Sequence, residues 1–277
     1  MKRPTLPPRV RIRARSKSQR RLRGALTLLI ALVGFGFLFS VVTPAPREAE
    51  AGAVNEQQIA AGAAIYSNSC ITCHGSNLQG VQDRGPSLIG VGQAATYFQV
   101  ATGRMPLADN GAQAPRKEPI FDPLQIQALG AYIQANGGGP VVPVNEETGE
   151  TATIRDNAAV AKGAELYRLN CASCHNFTGK GGALSQGKYA PDLGPATDSE
   201  IYAAMLSGPE NMPKFSDGQL TPDEKVAIVT YVQSAKASMD PGGYGLGGFG
   251  PVSEGFFAFI VGMGLIVGVM LWMGARA

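Results

Sequence analysis

Polarity divides the chain into blocks before any motif is considered. Residues 24–42, GALTLLIALVGFGFLFSVV, run for nineteen positions without a charge. Residues 256–273, FFAFIVGMGLIVGVMLWM, form a second uncharged run, with Glu254 before it and Arg276 after it. A helix rises about 1.5 Å per residue, so roughly twenty apolar residues cross a hydrocarbon core. The runs therefore predict transmembrane helices over 24–42 and 256–274. A signal peptide is the rival for the first, since small residues (Thr43, Ala45, Ala49, Ala51) follow it. Signal-peptide apolar regions are usually about 7–15 residues, shorter than this one. Between the two runs the spacing of apolar residues is helical. It predicts helices over Gln57 to Asn68, Ala158 to Asn170, and after Asp122 and Thr221, where Leu124, Ala128, Leu129, Tyr132 and Ile133 recur with Val226, Ile228, Val229 and Val232 as counterparts. Asp122 and Thr221 read as N-caps, with Pro123 and Pro222 at the first helical position. Little alternates with a strand period, so the predicted fold class is all-α.

The middle of the chain repeats itself. AGAAIYSNSCITCHG (61–75) aligns with KGAELYRLNCASCHN (162–176), GPSL (85–88) with APDL (190–193), RMP (104–106) with NMP (211–213), and DPLQIQALGAYIQA (122–135) with TPDEKVAIVTYVQS (221–234). Four blocks in the same order mark a duplicated unit. A linker is expected over 138–154, and a Gly-rich one over 239–255 ahead of the second apolar run. The halves differ in two places. Pro86 follows His74 by 12 residues but Pro191 follows His175 by 16, and only the first half carries ADNGAQAPRKEPIF (108–121) after its Met-Pro.

Charge adds a direction. The chain has 24 Lys and Arg against 21 Asp and Glu, but ten of the basic residues lie within 1–23, which holds no acid. The remainder is therefore acidic. Basic flanks resist translocation, so residues 1–23 and Arg276 are expected in the cytoplasm and the repeated body outside it. An acidic body can steer basic redox partners, although solvated surface is the commoner meaning of such charge.

All four cysteines and both histidines fall in two Cys-x-x-Cys-His clusters, Cys70, Cys73, His74 and Cys171, Cys174, His175. A zinc site needs four ligands, and each unit would supply three. A dithiol switch gives the adjoining histidine no role. Covalent haem attachment uses all three residues: two thiols for the two vinyl groups and a histidine against one face of the ring. The expected cofactors are thus two covalently bound haem c. With no third histidine, methionine is the usual second axial ligand. Among Met105, Met205, Met212 and Met239, only Met105 and Met212 hold equivalent places, each before a proline and 31 and 37 residues after its histidine. Met205 reads as packing within the short helical run EIYAAMLSG.

On these residues both halves resemble class I cytochrome c domains, over 54–137 and 155–238. The resemblance implies two such domains in tandem between an N-terminal and a C-terminal transmembrane helix. It also implies that the carbonyls of Pro86 and Pro191 receive the Nδ1–H of the proximal histidines, and that first and last helices cross at Gly62 with Tyr66 and Tyr132, and at Gly163 with Tyr167 and Tyr231. The whole layout resembles the dihaem cytochrome c subunits of actinobacterial quinol–cytochrome c reductase (cytochrome bc) complexes. That implies a membrane-anchored electron-transfer subunit of an oxidoreductase, with no catalytic site of its own. The implied partners are a cytochrome b subunit, a Rieske iron–sulfur subunit, a cytochrome c oxidase and membrane lipid, and no nucleic acid. The alternatives are the dihaem subunit of a cbb-type oxidase, against which the C-terminal apolar run counts, and a dihaem oxidoreductase with an open iron site.

Overall fold

Helix ends in this chain are written in its side chains. In the computed structural model, which describes residues 17–42, 56–108, 111, 113–143, 151, 156–238, 246–248 and 251–276, the helices that begin at Pro123, Asn157, Asp198 and Pro222 each start at a side-chain cap. Asp122 accepts from the Gln125 amide at 2.9 Å while the Gln125 side chain accepts from the Asp122 amide at 3.0 Å, with Pro123 next in line. Thr221 and Glu224 form the same reciprocal box ahead of Pro222. Thr197 and Glu200 form a third, which the sequence pattern did not single out. Each box satisfies two amides that a helix start leaves without partners. Most of residues 1–23, most of both linkers, Met239 and three positions of the 108–121 loop lie outside the described residues.

The chain divides into two compact units, Met1–Glu48 and Ala49–Ala277. The first contributes α1 (Lys17–Val42), which begins seven residues before the uncharged run. Its side chains from Arg21 to Leu38 are all exposed, and the Thr27 hydroxyl donates back to the Arg23 carbonyl. A hydroxyl returned to its own helix is satisfied without water.

The second unit carries the repeat as matching elements. Its first half has α2 (Glu56–Ser69), α3 (Ile71–His74), α4 (Gly92–Ala101) and α5 (Pro123–Gly137). The second half has α6 (Asn157–Asn170), α7 (Ala172–His175), a two-residue antiparallel hairpin of β1 (Gly182–Ala183) and β2 (Tyr189–Ala190), α8 (Asp198–Ser207) and α9 (Pro222–Ala237). The fold is mostly helical, as expected, and the small hairpin takes up the extra residues between His175 and Pro191. Last comes α10 (Pro251–Gly274), with its large apolar side chains exposed. By length and composition Arg21–Leu38 and Val252–Gly274 are each able to cross a membrane.

In each half the first helix crosses the last at a glycine. A Cβ at Gly62 would collide with the Ala128 carbonyl oxygen and lie 2.8 Å from Tyr132 Cβ. At Gly163 the same collision arises with Ala227, again with Tyr231 Cβ at 2.8 Å. The rings beside these crossings repeat as well: Tyr66–Tyr132 and Tyr167–Tyr231 centroids both stand 5.2 Å apart, tilted. Tilted pairs at this separation are favourable beyond their buried area.

The two halves are docked on one another. Helix α4 packs against α8, with Ala94 and Ala203 fully buried, and Ala94, Phe98 and Val142 share one hydrophobic cluster with Ile201, Tyr202 and Met205. Small side chains on both helices allow this close approach. The 108–121 loop reinforces it. Arg116 forks onto Glu200, Nη1 to Oε2 at 3.0 Å and Nη2 to Oε1 at 2.9 Å. The Gln113 side chain donates to the Tyr189 carbonyl at 2.7 Å and accepts from its amide at 3.0 Å, as one strand would pair with another. The Ala114 amide donates to Glu210 Oε1 at 2.8 Å.

Candidate haem sites

One turn of helix arranges each Cys-x-x-Cys-His cluster. The amides of Cys73 and His74 donate to the Cys70 carbonyl at 3.2 and 2.9 Å, and those of Cys174 and His175 donate to Cys171 at 3.1 and 2.9 Å. Residues three and four apart on a helix share a face, so both thiols and the imidazole are presented together. The turn ends at a left-handed residue, Gly75 with φ 75° or Asn176 with φ 66°. With ψ 159° and 161°, this conformation is one that glycine adopts most readily, which suits CHG in the first copy, while Asn176 holds it in the second. The Tyr66 hydroxyl then donates to the Gly75 carbonyl at 2.6 Å, and Tyr167 to Asn176 at 2.9 Å. Each first helix is thereby tied to the end of its cluster.

A second tie runs to the proline segment. The Gly80 amide donates to the His74 carbonyl and the Gly181 amide to His175, both at 2.9 Å. Both glycines have positive φ, and a Cβ on Gly80 would sit 2.8 Å from the Pro86 carbonyl carbon. The loop therefore passes closer to the proline than a side chain permits. As a result His74 Nδ1 lies 2.8 Å from the Pro86 oxygen, and His175 Nδ1 lies 3.1 Å from the Pro191 oxygen. A carbonyl only accepts, so Nδ1 carries the proton and donates, leaving Nε2 with a free lone pair facing away.

In the second half these residues converge on a cavity of about 290 Å³. Cys171, Cys174, His175, Pro191 and Met212 line it, together with apolar side chains that include Leu193, Ile201 and Phe215. Met205 lines it too, at 1 % exposure on α8, so its packing role places it against the same space. Part of the wall comes from the first half: Phe98, Arg104, Gln113, Ala114 and Arg116. Sequence reasoning passed over these five. The available signals are that RMP and NMP differ at their first position and that only the first half carries the 108–121 loop, which holds three of the five. In the first half Cys70 and Met105 pack on the same hydrophobic cluster as Ile71 and Leu88.

Electrostatics suit an uncharged ligand set. Burial, with the neighbouring Cys73, pushes the Cys70 thiol up to about 11; burial and Cys174 push Cys171 up to about 12. Burial lowers His175, and the bond to the Pro191 carbonyl works against that. None of the four cysteines is in a disulfide. Among the described residues no three His, Cys, Asp or Glu side chains converge on a metal-sized site, so zinc finds no donor set there. A haem fits: two thiols for covalent bonds, an imidazole nitrogen, a thioether, apolar walls, and one buried cationic nitrogen, Arg104 Nη1, with no hydrogen-bond partner.

Comparison with known proteins agrees with this chemistry. The family model for cytochrome c matches residues 59–136, and that for cytochrome c oxidase, cbb3-type, subunit III matches residues 158–232. The cytochrome bc1 complex cytochrome c subunit of Mycobacterium tuberculosis is 56 % identical over 241 residues, 87 % of this chain and 86 % of that one. The subunit of the same name from Corynebacterium diphtheriae is 53 % identical over 249 residues, 87 % of this chain and 89 % of that one. The Cbb3-type cytochrome c oxidase subunit FixPc of Rhizobium leguminosarum is 31 % identical over 156 residues, 52 % of this chain and 47 % of that one. With two cytochrome c domains in its body and relatives of one name aligned over most of its length, the chain belongs to the family of cytochrome bc1 complex cytochrome c subunits and carries covalently bound haem c for electron transfer.

Proposed function

We propose that this chain takes electrons from a Rieske iron–sulfur subunit, passes them between its two haems, and delivers them to a cytochrome c oxidase, in a stable assembly with a cytochrome b subunit. The observation that carries the reading is the duplicated geometry: each half holds an imidazole by its Nδ1 beside two thiols, inside a chain whose named relatives are bc1 subunits. In this reading Cys70, Cys73, Cys171 and Cys174 form the thioether bonds. His74 and His175 would bind the iron through Nε2, and the thioethers of Met105 and Met212 would complete its ligand set. The domains span 54–137 and 155–238. Bound in this way, haem supplies one-electron chemistry and nothing more. The residues would orient it, keep water away and set its potential. Proton translocation belongs to the complex.

The topology follows from the flanking charges. Residues 1–23 and Arg276 lie on the cytoplasmic side of the cell membrane, α1 and α10 span it, and both haem domains face outward, where haem c is attached. The test is purification of the native complex in mild detergent, with identification of its subunits. Cytochrome b, Rieske and oxidase subunits should co-purify with the chain. Recovery with cbb-type oxidase subunits alone would overturn the assignment.

A further inference from the structure

We infer that Arg104, although it belongs to the first half, is the cationic partner of a propionate carboxylate on the haem held by the second half. The inference rests on the haem sites proposed above. Arg104 is 9 % exposed and lines the second half's cavity, and its Nη1 atom is buried with no hydrogen-bond partner among the described residues. A buried guanidinium with an unused donor is costly unless an acceptor meets it, and the strongest acceptor for this fork is a carboxylate.

Among the described residues none of the protein's own acceptors bonds Arg104 Nη1, although Gln99 Oε1 is likewise buried without a partner and Glu210 acts on the guanidinium through its charge. Glu200 takes both arms of Arg116 and also caps α8 through the Thr197 amide. Glu210 is exposed and accepts from the Ala114 amide. The Gln113 amide and the Tyr189 backbone satisfy one another. Arg104 itself is held in place, with its guanidinium carbon 4.9 Å above the centre of the Phe98 ring. In the second half the matching position is Asn211, a neutral side chain whose Oδ1 accepts from Lys188. The arginine is thus a device of the first copy alone, aimed into the second copy's site. Since Met105 follows it directly, a single dipeptide then touches both cofactors: Met105 the iron of one, Arg104 the carboxylate of the other.

The sign of the effect is fixed by charge. Ferric haem carries one more positive charge than ferrous, so a nearby cation that also neutralises a propionate raises the potential, and its removal lowers it. The experiment is a redox titration of haem c in the full chain within its purified complex, with Met105→His and Met212→His assigning the two components. Arg104→Leu should lower the component that Met212→His shifts, with both haems still attached on a denaturing gel. Arg104→Lys, which keeps the charge but loses the fork, should shift it less. If Arg104→Leu fails to accumulate, the uncharged but polar Arg104→Gln carries the same expectation. An unmoved second component in a two-haem variant, or movement of the first alone, would overturn the inference. A wild-type chain holding fewer than two haems would instead sink the site assignment beneath it.

Discussion

A histidine whose Nδ1–H is given to a carbonyl has one nitrogen left for a metal, and here both histidines are in that state. The methionines proposed as iron ligands are where the two sites become testable one residue at a time. Met105→His should keep haem attached, because the thioether bonds do not involve Met105, while lowering that haem's potential; an unchanged spectrum and potential would remove Met105 from the iron. The thiols offer a check that needs no cofactor. In haem-free chain, iodoacetamide should label exposed Cys174 well before Cys171, which is buried and whose thiolate is scarce with its pKa pushed up to about 12. Equal labelling would mean the cluster is not folded as described. At this scale the sequence is most readable where chemistry is local. Cys-x-x-Cys-His needs five consecutive residues, and its duplication singles out Met105 and Met212 by position. Arg104 was not readable, because its target lies in the other half of the chain and no local pattern announces it.

Among elements, the helix crossings at Gly62 and Gly163 carry the tightest packing. Gly163→Val should destabilise the second half by about 1–3 kcal/mol or more, because overpacking must displace the backbone of α9. Ala161→Val, on the exposed side of the same helix, should cost under about 1 kcal/mol, a propensity effect only. Thermal unfolding followed through the haem signal compares the two, and similar losses would rule out the crossing as the cause. Helix starts were legible at Asp122 and Thr221, where capping residue and proline sit side by side. The hairpin of β1 and β2 was not, since two residues per strand are too few for alternation to register.

At the scale of the molecule, sequence suggested two beads on a string. The string is partly packed, with Val142 at 8 % exposure and Thr151 at 3 %. The interface escaped notice because it is built of Ala94 and Ala203, which read as neutral, and of a loop whose Arg116 reads as solvated. Arg116→Ala leaves Glu200, 4 % exposed, without its charge partner. The expected cost is about 1.5–3 kcal/mol, the range for hydrogen bonds to charged groups, moderated by Arg116's own partial exposure. Loosened docking should also speed proteolysis within 138–154. Unchanged stability and unchanged cleavage would mean that the fork does not hold the halves together.

Docked halves alter the kinetics of what passes between them. A free carrier must diffuse, find its partner and leave, so its throughput depends on its own concentration and on the viscosity of the medium. Where α4 lies against α8, side-chain packing holds the two Cys-x-x-Cys-His clusters at a set separation, and with it the gap that an electron would cross. Transfer across that gap becomes a first-order event inside one molecule, indifferent to how many copies the membrane holds.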